Sequence, residues 1–187
     1  MITRRLLMGC AFFAMMSLGA VASEAQGTLD QSFTTPTNVS AAINECCRFA
    51  AQTFTAGRTG TLTGIAIDVL SEPPKPFPLH IAIRDVNGNN PGTTILGETT
   101  LSTSGTSLSQ IISFPQPIAI VARSRYAIVV DYPDAPPPGA GQNQGQWGGA
   151  YGNQYSGGEA LSNRENGTLW QRTRPGVDLH FQTYVSP

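Results

Sequence analysis

Between Thr61 and Leu70 the chain alternates. Thr61, Thr63, Ile65, Ile67 and Val69 occupy one parity, and Leu62, Gly64, Ala66, Asp68 and Leu70 the other. Successive side chains leave opposite faces of an extended strand, so a period of two points to a half-buried strand and away from an amphipathic helix. The first set is β-branched throughout, which makes it the expected core face. The same period returns at Leu79, Ile81 and Ile83, with His80, Ala82 and Arg84 on the opposite side. No segment shows the 3.6-residue period of an amphipathic helix of useful length.

Around these runs the chain is punctuated by turn residues. Gly (20) and Pro (14) are abundant while charged residues make up 12%, the balance of an all-β protein with many turns. Strands are predicted at Leu29–Phe33, Phe49–Thr55, Thr61–Leu70, Leu79–Arg84, Thr94–Leu101, Leu108–Phe114, Pro117–Ala122, Tyr126–Tyr132, Thr168–Arg172 and Val177–Val185. Ser71–Pro78, with its four prolines, is predicted to cross between strands unpaired, because proline lacks the ladder donor. Short antiparallel strands at this spacing predict an all-β, jelly-roll-like sandwich in a single domain.

Arg4 and Arg5 precede an apolar run from Leu6 to Ala22, followed by small residues at Ala20-Val21-Ala22 or Ser23-Glu24-Ala25. That is the pattern of a cleaved secretory signal, so residues 1–25 are predicted to be a signal peptide, 26–48 an extended lead-in or edge strand, and 49–187 the sandwich. Two arginines in this position leave the Sec and twin-arginine routes both open. No later apolar run reaches the roughly 18 residues of a membrane-spanning helix. The predicted location is secreted, extracellular or periplasmic. A formal net charge of −1 without a Lys/Arg cluster argues against nucleic acid as a partner. Cleavage would leave Cys46 and Cys47, adjacent residues whose Cα spacing of about 3.8 Å is short for a disulfide. One buried thiol beside one exposed thiol, a strained bridge, and an intermolecular bridge all remain open.

A set of segments resembles the choice-of-anchor β-sandwich modules of exported bacterial proteins. They are Ala51-Gln52-Thr53-Phe54-Thr55-Ala56-Gly57, Leu79-His80-Ile81-Ala82-Ile83-Arg84, Thr94-Ile95-Leu96-Gly97, Tyr126-Ala127-Ile128-Val129-Val130, Tyr155-Ser156-Gly157-Gly158 and Asp178-Leu179-His180-Phe181. The resemblance implies a carbohydrate-binding-like sandwich and supplies no catalytic or ligand residue. This chain departs from the pattern in the Cys46-Cys47 pair and in ending at Val185-Ser186-Pro187 without a tail signal.

The leading candidate for function is the aromatic, glycine-rich stretch Gly145–Tyr155, expected on a loop or edge. Trp147, Tyr151 and Tyr155 recur every four residues, with Gln146 and Asn153 as polar neighbours, and Gly148, Gly149 and Gly152 permit close backbone approach. A flat aromatic ring covers the C–H face of a sugar while amides bind its hydroxyls, so the predicted partner is a glycan or extracellular matrix polymer. The competing reading is that Trp147 plugs the core, since large aromatics are mostly buried. No cofactor is implied. Calcium has one weak candidate, Asp85-Val86-Asn87-Gly88-Asn89, where the glycine is fourth instead of sixth and Leu96 stands in place of the bidentate Glu. Asp131 and Asp134 form a second, weaker one.

No catalytic constellation emerges. A glycosidase needs two carboxylates about 5 to 10 Å apart across a cleft, and Glu159 with Asp178 is the pair to test by position alone. No Gly-x-Ser-x-Gly elbow occurs. His80 and His180 are expected on solvated strand faces. The reading is therefore a non-catalytic binding module, with a self-associating structural protein second and a polysaccharide-active enzyme third.

Overall fold

The computed structural model describes residues 27–43, 47–71, 77–103, 105–132, 145–152, 154–163 and 169–187. The signal segment, Cys46, Asp134 and Asn153 lie outside these residues, as do the prolines between Glu72 and Pro76.

The strands are β1 (Thr28–Phe33), β2 (Val39–Ile43), β3 (Phe49–Thr55), β4 (Gly60–Ile67), β5 (Val69–Ser71), β6 (Phe77–Asn87) and β7 (Asn90–Thr103). They continue as β8 (Ile118–Ile120), β9 (Arg125–Asp131), β10 (Gly145–Tyr151), β11 (Ala160–Asn163), β12 (Gln171–Arg172), β13 (Val177–Leu179) and β14 (Phe181–Ser186), with no helix among the described residues. All named strand pairs are antiparallel. One sheet runs β1-β14-β4-β8, a second β13-β10-β2 with β5 also on β10, and a third β12-β11-β3-β9-β6-β7. The expected all-β sandwich is what forms.

One apolar core unites the three sheets. Ile65, Ile67 and Phe181 come from the first, Trp147 and Leu179 from the second, and Phe54, Ile81, Ile83, Ile128 and Val130 from the third. The rings of Phe54 and Phe181 meet at 5.9 Å between centroids, so two sheets touch directly. Removing each such side chain from water stabilises the fold by about 1.5–3 kcal/mol. The intervening residues of β3 and β9 build a smaller cluster on the opposite face of the six-stranded sheet. There Ala51, Ala127 and Val129 lie with Phe49, Leu161 and Trp170. Trp170 packs edge-on to Phe49 at 6.4 Å.

Ile65, Ile67 and Val69 are buried as the alternation requires, but Ala66 and Leu62 of the opposite parity are buried as well. The pairing with β14 explains Leu62: Gly64 faces Tyr184 and Leu62 faces Val185, so Thr63 is skipped. One extra residue in the strand reverses the parity before it, and Leu62 turns inward.

The expectation for Ser71–Pro78 needs correction at both ends. Ser71 pairs with Gly145, and Pro78 is opposite Ser102 near the start of β6. Proline is tolerated there because the β6–β9 ladder begins only at His80, so no partner waits for its missing N–H on that side. Within the lead-in, β1 pairs with β14 and β2 with β10, and Phe33, Ala41 and Ile43 enter the core. The Asn-Gly signal makes a hairpin: Asn87 pairs with Asn90 across Gly88, whose φ of 62° only glycine adopts freely. In this hairpin the Asp85 carboxylate accepts from the Thr94 N–H, and Asn89 Oδ1 accepts from Arg125. Asp85 and Asn89 of the segment that resembles a calcium loop thus each accept a hydrogen bond around this turn.

Candidate functional site: the Tyr151 end of strand β10

The stretch expected as a loop is mostly the strand β10, with β2 on one side and β13 and β5 on its other pairings. Its glycines serve neighbouring protein backbone. A Cβ on Gly149 would collide with the Asp178 carbonyl of β13, and one on Gly148 would press on the Asp68 carboxylate. Glycine is usually unfavourable in a strand, and close approach is the reason it is kept here.

Trp147 is 0% exposed, and its indole N–H donates to the His180 carbonyl at 2.8 Å. Its ring has no open face for a ligand, which corrects its candidacy as a sugar platform. The buried indole is stable because its one polar atom has a partner. Gln146 is half-buried, and its amide oxygen accepts from the Ser40 hydroxyl at 2.9 Å.

Tyr155 is also structural. Its hydroxyl donates to Gln31 of β1 at 3.1 Å, and its ring meets Phe181 edge-on at 5.0 Å. Burial pushes its pKa up to about 12. Its N–H donates to Asp178 Oδ2 at 3.1 Å, and Gln52 Nε2 reaches Oδ1 of the same carboxylate at 3.4 Å. Asp178 is 0% exposed, and burial raises its pKa from the ordinary aspartate value. Sealed in this way, Asp178 has no access to a substrate. Glu159, its suggested catalytic partner, is ion-paired with Arg172.

Tyr151 differs from the other two aromatics: it is 40% exposed. Its N–H donates to Asn38 Oδ1 at 3.0 Å, and its carbonyl accepts from Gln154 at 3.1 Å. Its hydroxyl accepts from Arg174 Nη1 at 2.6 Å. Tyr151 pairs with Val177, and Gly152 donates to the Gly176 carbonyl at 2.7 Å, so the turn carrying Arg174 is held against the end of β10. Arg174 in turn lines a recess of about 340 Å³ with Gly158, Glu159, Ala160, Arg172, Gly176 and Val177. Arg172 and Arg174 were not among the candidates read from sequence. Their i, i+2 spacing puts both on one side of an extended segment, but nothing local ties that segment to Tyr151.

The two histidines, expected alike on solvated faces, separate. His80 is half-buried on the outer face of the six-stranded sheet, with Nδ1 2.5 Å from Asp131 and Nε2 3.0 Å from Glu98. The Asp131 hydrogen bond raises its pKa. His180 is 1% exposed, and burial lowers its pKa. Its Nδ1 lies 3.3 Å from the Thr37 hydroxyl and 3.7 Å from Asp68, while Nε2 has no hydrogen-bond partner among the described residues. Cys47 is half-buried. No group of three metal-ligating side chains forms among the described residues.

No family model matches the chain, and no curated protein matches it.

Proposed function

We propose that the chain is an exported, non-catalytic β-sandwich that binds carbohydrate or another extracellular polymer at the Tyr151 end of β10. The observation that carries the reading is that Tyr151 is the one aromatic among the large exposed apolar side chains of the described residues, and its hydroxyl is bonded to Arg174, which lines a polar recess. A half-exposed tyrosine whose hydroxyl is held by Arg174 presents a ring of fixed orientation, which is what stacking on a sugar requires. The flanking amides of Asn38 and Gln154 are spent on the Tyr151 backbone and stiffen the platform.

The test is retention on insoluble polysaccharides together with a glycan array. Wild-type protein is expected to be retained, and Tyr151→Ala to bind about tenfold more weakly, the equivalent of about 1.4 kcal/mol. Trp147 lies in the core and is not a suitable probe. Retention at background level, or retention untouched by Tyr151→Ala, removes the case for this surface.

A second reading, self-association, is favoured by β7, which closes the six-stranded sheet with 14 residues and an exposed Ile95. Unpaired edges template strand addition. Size-exclusion chromatography across a concentration series, with and without reductant, distinguishes it: a binding module of this kind elutes as a monomer throughout.

A further inference from the structure

We propose that the recess beside Tyr151 selects an anionic sugar residue, a ring carrying a carboxylate, and that Arg174 is the group that recognises the charge. This deepens the polymer-binding reading and rests on it.

The charges that face the recess are few. Glu159 and Arg172 compensate each other in an ion pair, and Asp178, behind them on β13, is sealed at 0% exposure. Arg174 is exposed, and its hydrogen bond goes to the neutral Tyr151 hydroxyl, with no carboxylate partner among the described residues. Among the described residues, two guanidinium groups against one carboxylate leave the recess with one uncompensated positive charge. A neutral glycan has no group that answers it.

The hydrogen bond to Tyr151 also fixes the position of that charge. Through it the guanidinium is held at the edge of the aromatic platform, with its remaining donors free of any partner described. A planar fork of N–H donors matches the two oxygens of a carboxylate, and the match is better than a point charge would give. A ring stacked on Tyr151 would therefore lie next to Arg174, with an exocyclic carboxylate in reach of the guanidinium that lines the recess. The size agrees: about 340 Å³ is at the small end of ligand sites and suits one sugar ring with its substituent. Gly158 and Gly176 are among the residues that line the recess.

The experiment is isothermal titration of the folded protein with three probes: galacturonate oligosaccharides, the same oligosaccharides methyl-esterified, and a sulfated dextran. The free acid is expected to bind about tenfold more tightly than the ester, as one charge-assisted hydrogen-bonded pair predicts. The difference should shrink as salt is raised. Arg174→Gln should abolish the preference for acid over ester with unchanged melting temperature, since the side chain is exposed, and Arg174→Lys should restore part of it. Acid and ester binding equally, both lost in Tyr151→Ala, overturns the charge recognition while the polymer-binding reading stands. A preference that survives Arg174→Gln overturns the role of Arg174. Binding of sulfated dextran without uronate shows that the ligand class is wrong. Absence of binding to every probe, including neutral polysaccharides, sinks the underlying reading as well.

Discussion

Trp147 and Tyr151 occupy the same strand four residues apart, and almost everything about their surroundings is opposed. At Trp147, β10 is paired on both sides by β2 and β5, and the indole closes against the His180 carbonyl. At Tyr151 only β13 remains as a strand partner, so the strand runs out to the surface and the ring is partly open, with its hydroxyl held by Arg174. An aromatic in a glycine-rich run is thus not one kind of object. How many neighbours the strand has at that point decides whether the ring seals a core or offers a platform.

The sharpest way to break the contrast is to truncate each ring. Trp147→Ala is expected to cost about 3–5 kcal/mol from lost burial and the cavity together, with a further loss from the orphaned His180 carbonyl, read as a shift in the urea midpoint at unchanged slope. A loss under about 1 kcal/mol would mean that Trp147 is not the keystone described.

Next in size is Gly149→Ala. A methyl there meets the Asp178 carbonyl, so β10 and β13 must part, at about 1–3 kcal/mol. Hydrogen exchange should show increased opening of the β13 amides and little change in β7. Equal protection in wild type and variant would refute the close approach as the reason for the glycine.

A third comparison sharpens the two ends through the histidines. The folded-state pKa of His180 lies below 6.5, so its unfolded form takes up a proton first; stability is complete above 6.5 and falls as the pH drops towards the folded value. His80, between Asp131 and Glu98, has its pKa raised above 6.5. Its contribution is complete below 6.5 and is lost as the pH rises through the folded value. Urea midpoints on either side of 6.5 should lose the acid-side fall in His180→Gln and the opposite slope in His80→Gln. The same slope in both variants would show that neither assignment is right.

The smallest expected effect on stability is at the open end. Tyr151→Ala should lie within about 0.5 kcal/mol of wild type while glycan retention falls, because a surface ring contributes little to the core. A large loss of stability would make Tyr151 another packing residue.

Several elements were legible in the chain before any coordinates. Phe49–Thr55 has the predicted bounds, Leu29–Phe33 is an edge strand, and Leu79, Ile81 and Ile83 face the core as their spacing requires. Periodicity carries that information because a buried face repeats locally. Of the aromatic candidates, Tyr151 alone retained an open ring, and Asn153 lies outside the described residues. Glycines usually mark turns, so Gly148 and Gly149 suggested a loop, and only the nearness of Asp68 and Asp178 explains them as parts of a strand. His180 shares a strand face with the polar Asp178 and Gln182, yet it is buried against Phe33, 5.6 Å away between ring centroids and far along the chain.

The amino-acid sequence by itself determined the class of the fold, since alternation and turn residues are properties of neighbours along the chain. Only the tertiary structure decided which aromatic stays open and which arginine stands beside it. Those facts depend on the antiparallel register of β10 with β13, and register joins residues that share no local pattern.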